Sequence, residues 1–357
     1  MSANVTSRAA WVLLVALLAT PAIGMEFYDR IGAHSWVPGA APGLDGPATV
    51  RHVNGAGLTP PWLCEYSSDC DPDYLAFPTL ALEHADPRSV DELDAAFAAP
   101  RPAQAPYVPS AELAVIVREA LGTGFLFDSV EEVPLDVVWL GAVDHGDVIE
   151  EKWLLHDPWV GAFPASLFLP AGTSPFAEAT HPAVLFLTGH LDAASDLLST
   201  YDGRTLLNAG YAVLGLQTRS DDAGPVESWV AQNLLIHGFT LMGLRAYEAM
   251  QALRALRSLP GIDPARLGVL GHSGGGSLTN LLVRLEPTVA AAVFDHHSDF
   301  RNVAEGRWVL CETVFDLIPH AQQLSDPSDA PVPTKRVDYG WENGAEPIVR
   351  FLDRHLK

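Results

Sequence analysis

The stretch RLGVLGHSGGG, residues Arg266–Gly276, decides the fold. A short apolar run predicts a buried strand, the G-x-S-x-G pattern at Gly271–Gly275 predicts a sharp turn, and a helix is predicted to follow. Glycines flank the serine because side chains at those positions would clash in so tight a turn. The turn is predicted to raise the Ser273 hydroxyl above the end of the strand, so Ser273 is interpreted as a nucleophile. A phosphate-binding loop is disfavoured because no lysine follows the glycines.

Helix and strand patterns alternate on both sides of this turn. Apolar residues at helical spacing over Gly238–Ser258 lead into a turn at Pro260–Pro264, and a helical stripe at Leu278–Leu285 precedes a second buried strand, Val289–Phe294. The order predicts an α/β fold with a doubly wound, mostly parallel sheet and helices on both faces. Further strands are predicted at Val133–Leu140, Val148–Leu155, Ala165–Leu169, His181–Leu187 and Tyr211–Gln217, and further helices at Val90–Ala98, Ala111–Leu121 and Pro347–Leu356.

Length and the first residues predict the domain organisation. The 357 residues, 48% of them hydrophobic, suffice for one large domain with an N-terminal extension. Residues 1–24 have the form of a signal peptide, with Arg8 before an apolar run and a small-residue site at Ala22–Gly24, and the run is shorter than the ~20 residues that span a membrane. We predict a secreted or periplasmic protein without a stable membrane span, with a Pro/Gly-rich, largely irregular extension over 25–125 and one α/β domain over 126–357.

The charge disfavours nucleic acid as a partner. The formal net charge is −23 and no basic cluster offsets it, so the surface repels phosphate backbones and anionic membranes. Asp69, Asp71 and Asp73 alternate as at the start of a calcium loop, but Tyr74 stands where that loop needs glycine and no glutamate closes it. The sequence therefore predicts no metal, no cofactor and no nucleic-acid partner, and it leaves the oligomeric state open.

The three cysteines become informative if the protein is exported, because an oxidising compartment allows disulfides. Cys64 and Cys70 lie close together in a Pro-rich segment and are the predicted pair. The alternative that both stay reduced is open, since their spacing does not establish the geometry of a bridge. Cys311 is interpreted as a small buried hydrophobic residue.

Several segments together resemble one group of hydrolases. They are the strand ending in Thr188–His190, the strand after Gly210, the turn Gly261–Arg266 and the glycine-rich turn. In order and spacing, over roughly Asp147–Phe300, they resemble the acetyl xylan esterase and dienelactone hydrolase-like α/β-hydrolases, relatives of the prolyl oligopeptidase catalytic domain. The resemblance implies a serine esterase with Ser273 as nucleophile and a small-molecule or carbohydrate ester as substrate. A peptidase is disfavoured because no repeat-containing N-terminal propeller is present.

The oxyanion hole is carried over by position. The resemblance assigns one backbone N–H to Gly274, the residue after the nucleophile, and another to the loop at His190 and Leu191. Two such donors stabilise a tetrahedral oxyanion, and the helix that starts at Gly274 directs its positive end to the same place. Only the backbone of His190 is used, so its imidazole is given no catalytic role.

The acid and base are where the chain departs from the family. A serine needs a base, and α/β-hydrolases place nucleophile, acid and histidine in that order along the chain. The chain after Phe300 is too short for the whole family pattern, and the family histidine position falls on Trp341. The predicted relay is therefore His320 as base with Asp295 as acid, or Asp299 in its place, because this assignment keeps the chain order.

Two alternatives to this relay stay open. His296 or His297, beside Asp295, is a candidate base, although adjacent side chains at a strand end point in opposite directions and at most one faces Ser273. In the second alternative, the chain is a pseudo-hydrolase, which keeps the sheet and the turn but binds a ligand or partner without catalysis. His355, in the C-terminal helix, is interpreted as a cation near a helix end.

Overall fold

One mixed sheet organises the described part of the protein. The computed structural model describes residues 50–54, 86–98, 105–170, 172–174, 180–219, 225–286, 288–295, 314–315, 317–318, 320–324, 326–338, 341 and 344–357. Its strands are β1 Val50–Asn54, β2 Leu135–Asp144, β3 Val148–Asp157, β4 Gly161–Pro170, β5 His181–Leu187, β6 Ala212–Leu216, β7 Ile262–His272, β8 Ala291–Asp295 and β9 Thr334–Val337.

The strand order places several strand ends at one edge. Across the sheet the order is β1-β2-β3-β4-β6-β5-β7-β8-β9. Strands β6, β5, β7, β8 and β9 run parallel to one another, whereas β3 and β4 are antiparallel to their neighbours. Because the carboxyl ends of parallel strands meet at the same edge, the loops after β5, β6, β7 and β8 converge there, as ligand-binding loops do in open α/β sheets.

Helices cover both faces of the sheet. Helices α2, α7 and α8 pack on one face, and α5 and α10 pack on the other. Within β5, Leu185 and Leu187 face the first layer and Val184 and Phe186 the second, so both faces of this part of the strand are apolar. The helices are α1 Val90–Ala98, α2 Ser110–Leu121, α3 Gly124–Ser129, α4 Asp196–Ser199, α5 Gly203–Asn208, α6 Pro225–Ile236, α7 Leu241–Arg257, α8 Gly274–Leu285, α9 Ala321–Leu324 and α10 Glu346–Leu356, with a 3₁₀ turn at Pro327–Asp329.

The predicted fold class is confirmed, and several strand boundaries differ from the predicted ones. Strand β7 begins at Ile262, inside the predicted turn, because Ile262 pairs with His181 at the start of β5. The N-terminal part of the chain also contributes to the sheet, since β1 pairs in parallel with β2. Within the described residues, no helix combines the length and the apolar character that crossing a membrane requires. The predictions for residues 1–24, for Asp69, Asp71 and Asp73, and for Cys64, Cys70 and Cys311 lie outside the described residues.

Asp157 is a buried carboxylate between β3 and α7. It is 0% exposed, and one oxygen accepts hydrogen bonds of 2.7 Å from the Tyr247 hydroxyl and from Gln251 Nε2. The other oxygen accepts a 2.7 Å hydrogen bond from the backbone N–H of Trp159. Burial raises the pKa of Asp157 to about 7, because loss of solvation outweighs the hydrogen bonds that favour the charged form.

We expect Asp157 to lower the free energy of unfolding as pH rises toward neutrality. Its pKa is about 7 in the folded protein against an ordinary 3.8, so between these values only the folded state retains the proton. One such proton changes the free energy of unfolding by about 1.4 kcal/mol per pH unit. Urea unfolding between about pH 5 and about pH 7 checks this. Over that range the free energy of unfolding of Asp157→Asn should fall less than that of the wild type. Equal declines in the two proteins would contradict the assignment.

Candidate active site

Ser273 lies at the sharp turn between β7 and α8. Its backbone has φ 50° and ψ −116°, a combination that residues other than glycine seldom adopt. The Ser273 N–H donates to the Asp295 carbonyl at 2.9 Å, and the Ser277 N–H donates to the Ser273 carbonyl at 3.0 Å. The strand, turn and helix that the sequence predicts around Ser273 are thus present, and the turn carries the strain typical of a nucleophile.

Close packing explains the glycines on either side of the serine. A Cβ atom on Gly271 would lie 2.0 Å from the carbonyl oxygen of Gly275. A Cβ atom on Gly275 would lie 2.1 Å from the carbonyl oxygen of Leu187, at the end of β5. The start of α8 therefore rests directly on the backbone of the central strand, which fixes the position of Ser273 against the loop after β5.

The loop after β5 lies beside this turn. Leu191 and Ser273 are the two non-glycine residues with positive φ in the described part of the chain, and Leu191 is 74% exposed. The His190 ring packs on Gly274, where a Cβ atom would lie 2.6 Å from His190 Cε1. The structure thus brings together Ser273, Gly274, His190 and Leu191, the residues predicted to form the nucleophile and oxyanion hole. Their roles stay a prediction.

His272 is a residue of this site that the sequence patterns did not indicate. Strands β7 and β8 pair His272 with Asp295 in register, and His272 Nδ1 lies 3.1 Å from Asp295 Oδ2. The His272 ring contacts the edge of Tyr201 with 5.1 Å between ring centroids. Asp295 therefore holds the end of β7 twice, through its carboxylate to His272 and through its carbonyl to Ser273. The sequence signal that could have indicated this contact is a pair of neighbouring parallel strands, one ending in a histidine and the other in an aspartate.

The predicted pairing of His320 with Asp295 is not formed among the described residues. His320 precedes α9, and α9 is joined to α8 by a 2.7 Å hydrogen bond from Asn280 Nδ2 to the Leu324 carbonyl. Among the described residues, the buried Nδ1 atom of His320 has no hydrogen-bond partner, whereas the carboxylate of Asp295 contacts His272. His320 as base and Asp295 as acid stay predictions.

Trp341 occupies the position where the family has its histidine, and the structure describes it. Trp341, at the family histidine position, is 1% exposed, and its ring packs 5.5 Å from those of Phe186 and Tyr201. This position therefore belongs to the core on the α10 side of the sheet. Within the described ranges, no group of three or more His, Cys, Asp or Glu side chains is arranged to hold a metal ion. The candidates His296, His297 and Asp299 lie outside those ranges.

A buried chain of charges lies behind His190. His190 Nε2 is 3.3 Å from Glu227 Oε1 on α6, and the same oxygen is 3.6 Å from Arg245 Nη1 on α7. Arg245 Nε donates to the Arg219 carbonyl at 2.8 Å, and Arg219 Nε donates to Glu248 at 2.6 Å. Burial raises the pKa of Glu248 although Arg219 opposes the shift. Both acids and both arginines have side chains at most 3% exposed, so each charge depends on its neighbour of opposite sign.

The parallel strands, the covering helices and the strained serine turn at the sheet edge define an α/β-hydrolase fold. Comparison with known sequences agrees: residues 167–312 match the acetyl xylan esterase (AXE1) family. YtaP of Bacillus subtilis strain 168, provisionally named a hydrolase, is 26% identical over 190 residues. The matched part covers 48% of this chain and 62% of YtaP, which is less than two thirds of that relative's length.

Solved structures show the same fold at low sequence identity. An acetyl xylan esterase from Paenibacillus sp. R4 is 13% identical with a TM-score of 0.53, covering 75% of this chain and 100% of that chain. A Bacteroides fragilis protein provisionally named an acetyl xylan esterase is 15% identical with a TM-score of 0.52, and the match covers 69% of this chain and 71% of that chain. The chain is thus an α/β-hydrolase in fold that resembles acetyl xylan esterases, as predicted from its motifs.

Proposed function

We propose that the protein is a secreted serine hydrolase that cleaves carboxylic esters through an acyl-enzyme on Ser273. The observation that carries the proposal is the strained backbone of Ser273, with φ 50°, at the first turn of α8. Such a turn exposes the hydroxyl at the sheet edge, where ligands bind in this class of fold. The match of residues 167–312 to acetyl xylan esterases supports carbohydrate esters as the substrate class. Secretion rests on the signal-peptide form of residues 1–24.

The proposed reaction has two halves. Ser273 Oγ attacks the carbonyl carbon of the ester and loses its proton to a base, the C–O bond to the alcohol breaks, and the alcohol leaves with that proton. Water then releases the acid and restores Ser273. The backbone N–H of Gly274 and one from the loop at His190 and Leu191 bind the oxyanion in both halves, and one such donor contributes about 10²–10³ in rate. Chemistry of this kind requires no metal or cofactor.

A fluorophosphonate probe tests the nucleophile. We expect covalent labelling of the folded wild-type protein at Ser273, located by peptide mass spectrometry, and no labelling of Ser273→Ala. A serine peptidase would also be labelled, so hydrolysis of 4-nitrophenyl acetate and acetylated xylan should be compared with hydrolysis of a peptide 4-nitroanilide. We expect turnover of the esters. Absence of labelling in the folded wild type would instead support a pseudo-hydrolase that acts as a binding protein.

A further inference from the structure

Ser273 stands between two pairs that each join a histidine to a fully buried carboxylate. On one side His272 contacts Asp295, and on the other His190 contacts Glu227. The two pairs differ in which part of the turn they meet. His272 precedes Ser273 on the strand, and its ring contacts Tyr201 on the face that carries Trp341. The His190 ring meets Gly274, the residue that follows the nucleophile.

We propose that His190 is the general base for Ser273 and that Glu227 positions it; this inference rests on the proposed esterase function. Glu227 Oε1 lies 3.3 Å from Nε2, so the neutral imidazole donates its proton there and carries its lone pair on Nδ1. Nδ1 is also the ring nitrogen nearer to Gly274, at 2.8 Å from the Cβ position against 3.2 Å for Nε2. Of the two ring nitrogens, the one that can accept a proton is therefore nearer to Gly274, the residue that follows the nucleophile.

The surroundings of Glu227 suit it to hold an imidazole. Its side chain is 0% exposed, and Arg245 lies 3.6 Å from the oxygen that binds His190. The buried arginine favours the charged carboxylate, which in turn fixes the orientation of the ring and stabilises the imidazolium that forms during reaction. Next to His190 in the same loop, a Cβ atom on Gly189 would lie 2.6 Å from Asp192 Oδ2 and 3.0 Å from His272 Cδ2. Among the described residues Glu227 is the acid that contacts His190.

The proton balance follows from this arrangement. As Ser273 Oγ bonds to the carbonyl carbon, its proton moves to His190 Nδ1 and the carbonyl π electrons move to the oxygen. When the tetrahedral intermediate collapses, the C–O bond to the alcohol breaks and Nδ1 returns the proton to the leaving oxygen. In the second half, water gives a proton to Nδ1 as it attacks the acyl carbon, and Nδ1 passes that proton to Ser273 Oγ. Glu227 stays ionised throughout.

This assignment changes the order of the relay along the chain. Base, acid and nucleophile would be His190, Glu227 and Ser273, whereas the family order ends in histidine. Serine hydrolases of unrelated folds use different orders with the same geometry, so order is no physical requirement. A base in the loop after β5 also removes any need for a histidine at Trp341, which packs in the core.

His190→Ala is the first test, with 4-nitrophenyl acetate as substrate. We expect kcat to fall about 10²–10⁴-fold. The circular dichroism spectrum and the melting temperature should stay close to those of the wild type. Free imidazole should restore part of the rate, because it can enter the space left beside Gly274. His355→Ala, which removes an exposed histidine at the end of α10, should keep the wild-type rate. A His190→Ala protein with wild-type kcat would overturn the proposal.

Glu227→Gln tests the positioning role. The amide should lower kcat with little change in KM and move the acid limb of the kcat/KM profile to lower pH, because it no longer stabilises the imidazolium. An unmoved limb would overturn the role of Glu227. His320→Ala is the competing variant: if it abolishes turnover and imidazole rescues it, while His190→Ala stays active, the base is His320. If the wild type shows no hydrolysis that depends on Ser273, the proposed function itself fails; an active wild type with an active His190→Ala removes only this inference.

Discussion

Ser273→Ala is expected to lower kcat/KM for 4-nitrophenyl acetate by about 10⁴–10⁶-fold. The substitution removes the one atom that bonds to the acyl group, so the two-step route is lost and only direct attack by water remains. The backbone N–H groups proposed as oxyanion donors, at Gly274 and in the loop after β5, are unchanged, and they should leave a small residual rate above the uncatalysed reaction. Ser273→Ala should also lose any pre-steady-state burst of 4-nitrophenol, since no acyl-enzyme forms.

Ser277→Ala is the matched control for this prediction. It lies one turn further along α8, and its contact with the nucleophile turn is made by the backbone N–H, which alanine retains. We expect Ser277→Ala to keep most of the wild-type activity, so that the loss in Ser273→Ala reports chemistry and not damage to the helix. A Ser273→Ala protein with substantial turnover would place the nucleophile elsewhere in the chain.

The fold and the sharp turn at Ser273 could be predicted because their signals are local. Strand β7, the turn and α8 follow one another within Ile262–Leu285, and the apolar run, the glycines and the helical stripe each act over a few residues. The glycine pattern also reflects direct packing, since Gly271 and Gly275 leave no space for a Cβ atom. Pattern reading works here because the physical causes lie in adjacent residues.

The partners of the histidines could not be predicted in the same way. His190 and Glu227 are 37 residues apart, and His272 and Asp295 are 23 apart, so each pair exists only because of sheet order and helix packing. Asp295 was predicted as an acid, but its contact with His272 depends on the register between β7 and β8. Chain order alone pointed to His320, and chain order says nothing about which side chains meet.

Gly275→Ala is expected to destabilise the protein by about 3 kcal/mol. A Cβ atom at this position would lie 2.1 Å from the Leu187 carbonyl oxygen and 2.5 Å from that of Thr188. Both contacts are with the backbone at the end of β5, which is held between β6 and β7 and cannot turn aside as a side chain would. Helix α8 would have to move away from the sheet, and apolar contacts of Leu278 and Leu281 with the core would be lost.

Urea unfolding of Gly275→Ala beside Gly124→Ala separates this clash from the general effect of replacing glycine in a helix. Gly124 lies in α3, and the nearest atom to a Cβ there is Arg118 Nε at 3.3 Å, on a side chain that can shift. We expect the free energy of unfolding of Gly124→Ala to lie within about 1 kcal/mol of the wild-type value, because helix propensities differ by about this amount. If the two variants were equally stable, α8 would not rest on the backbone of β5. Ser273 depends on that contact for its place above the sheet edge, so even the folded fraction of Gly275→Ala should hydrolyse esters more slowly than the wild type.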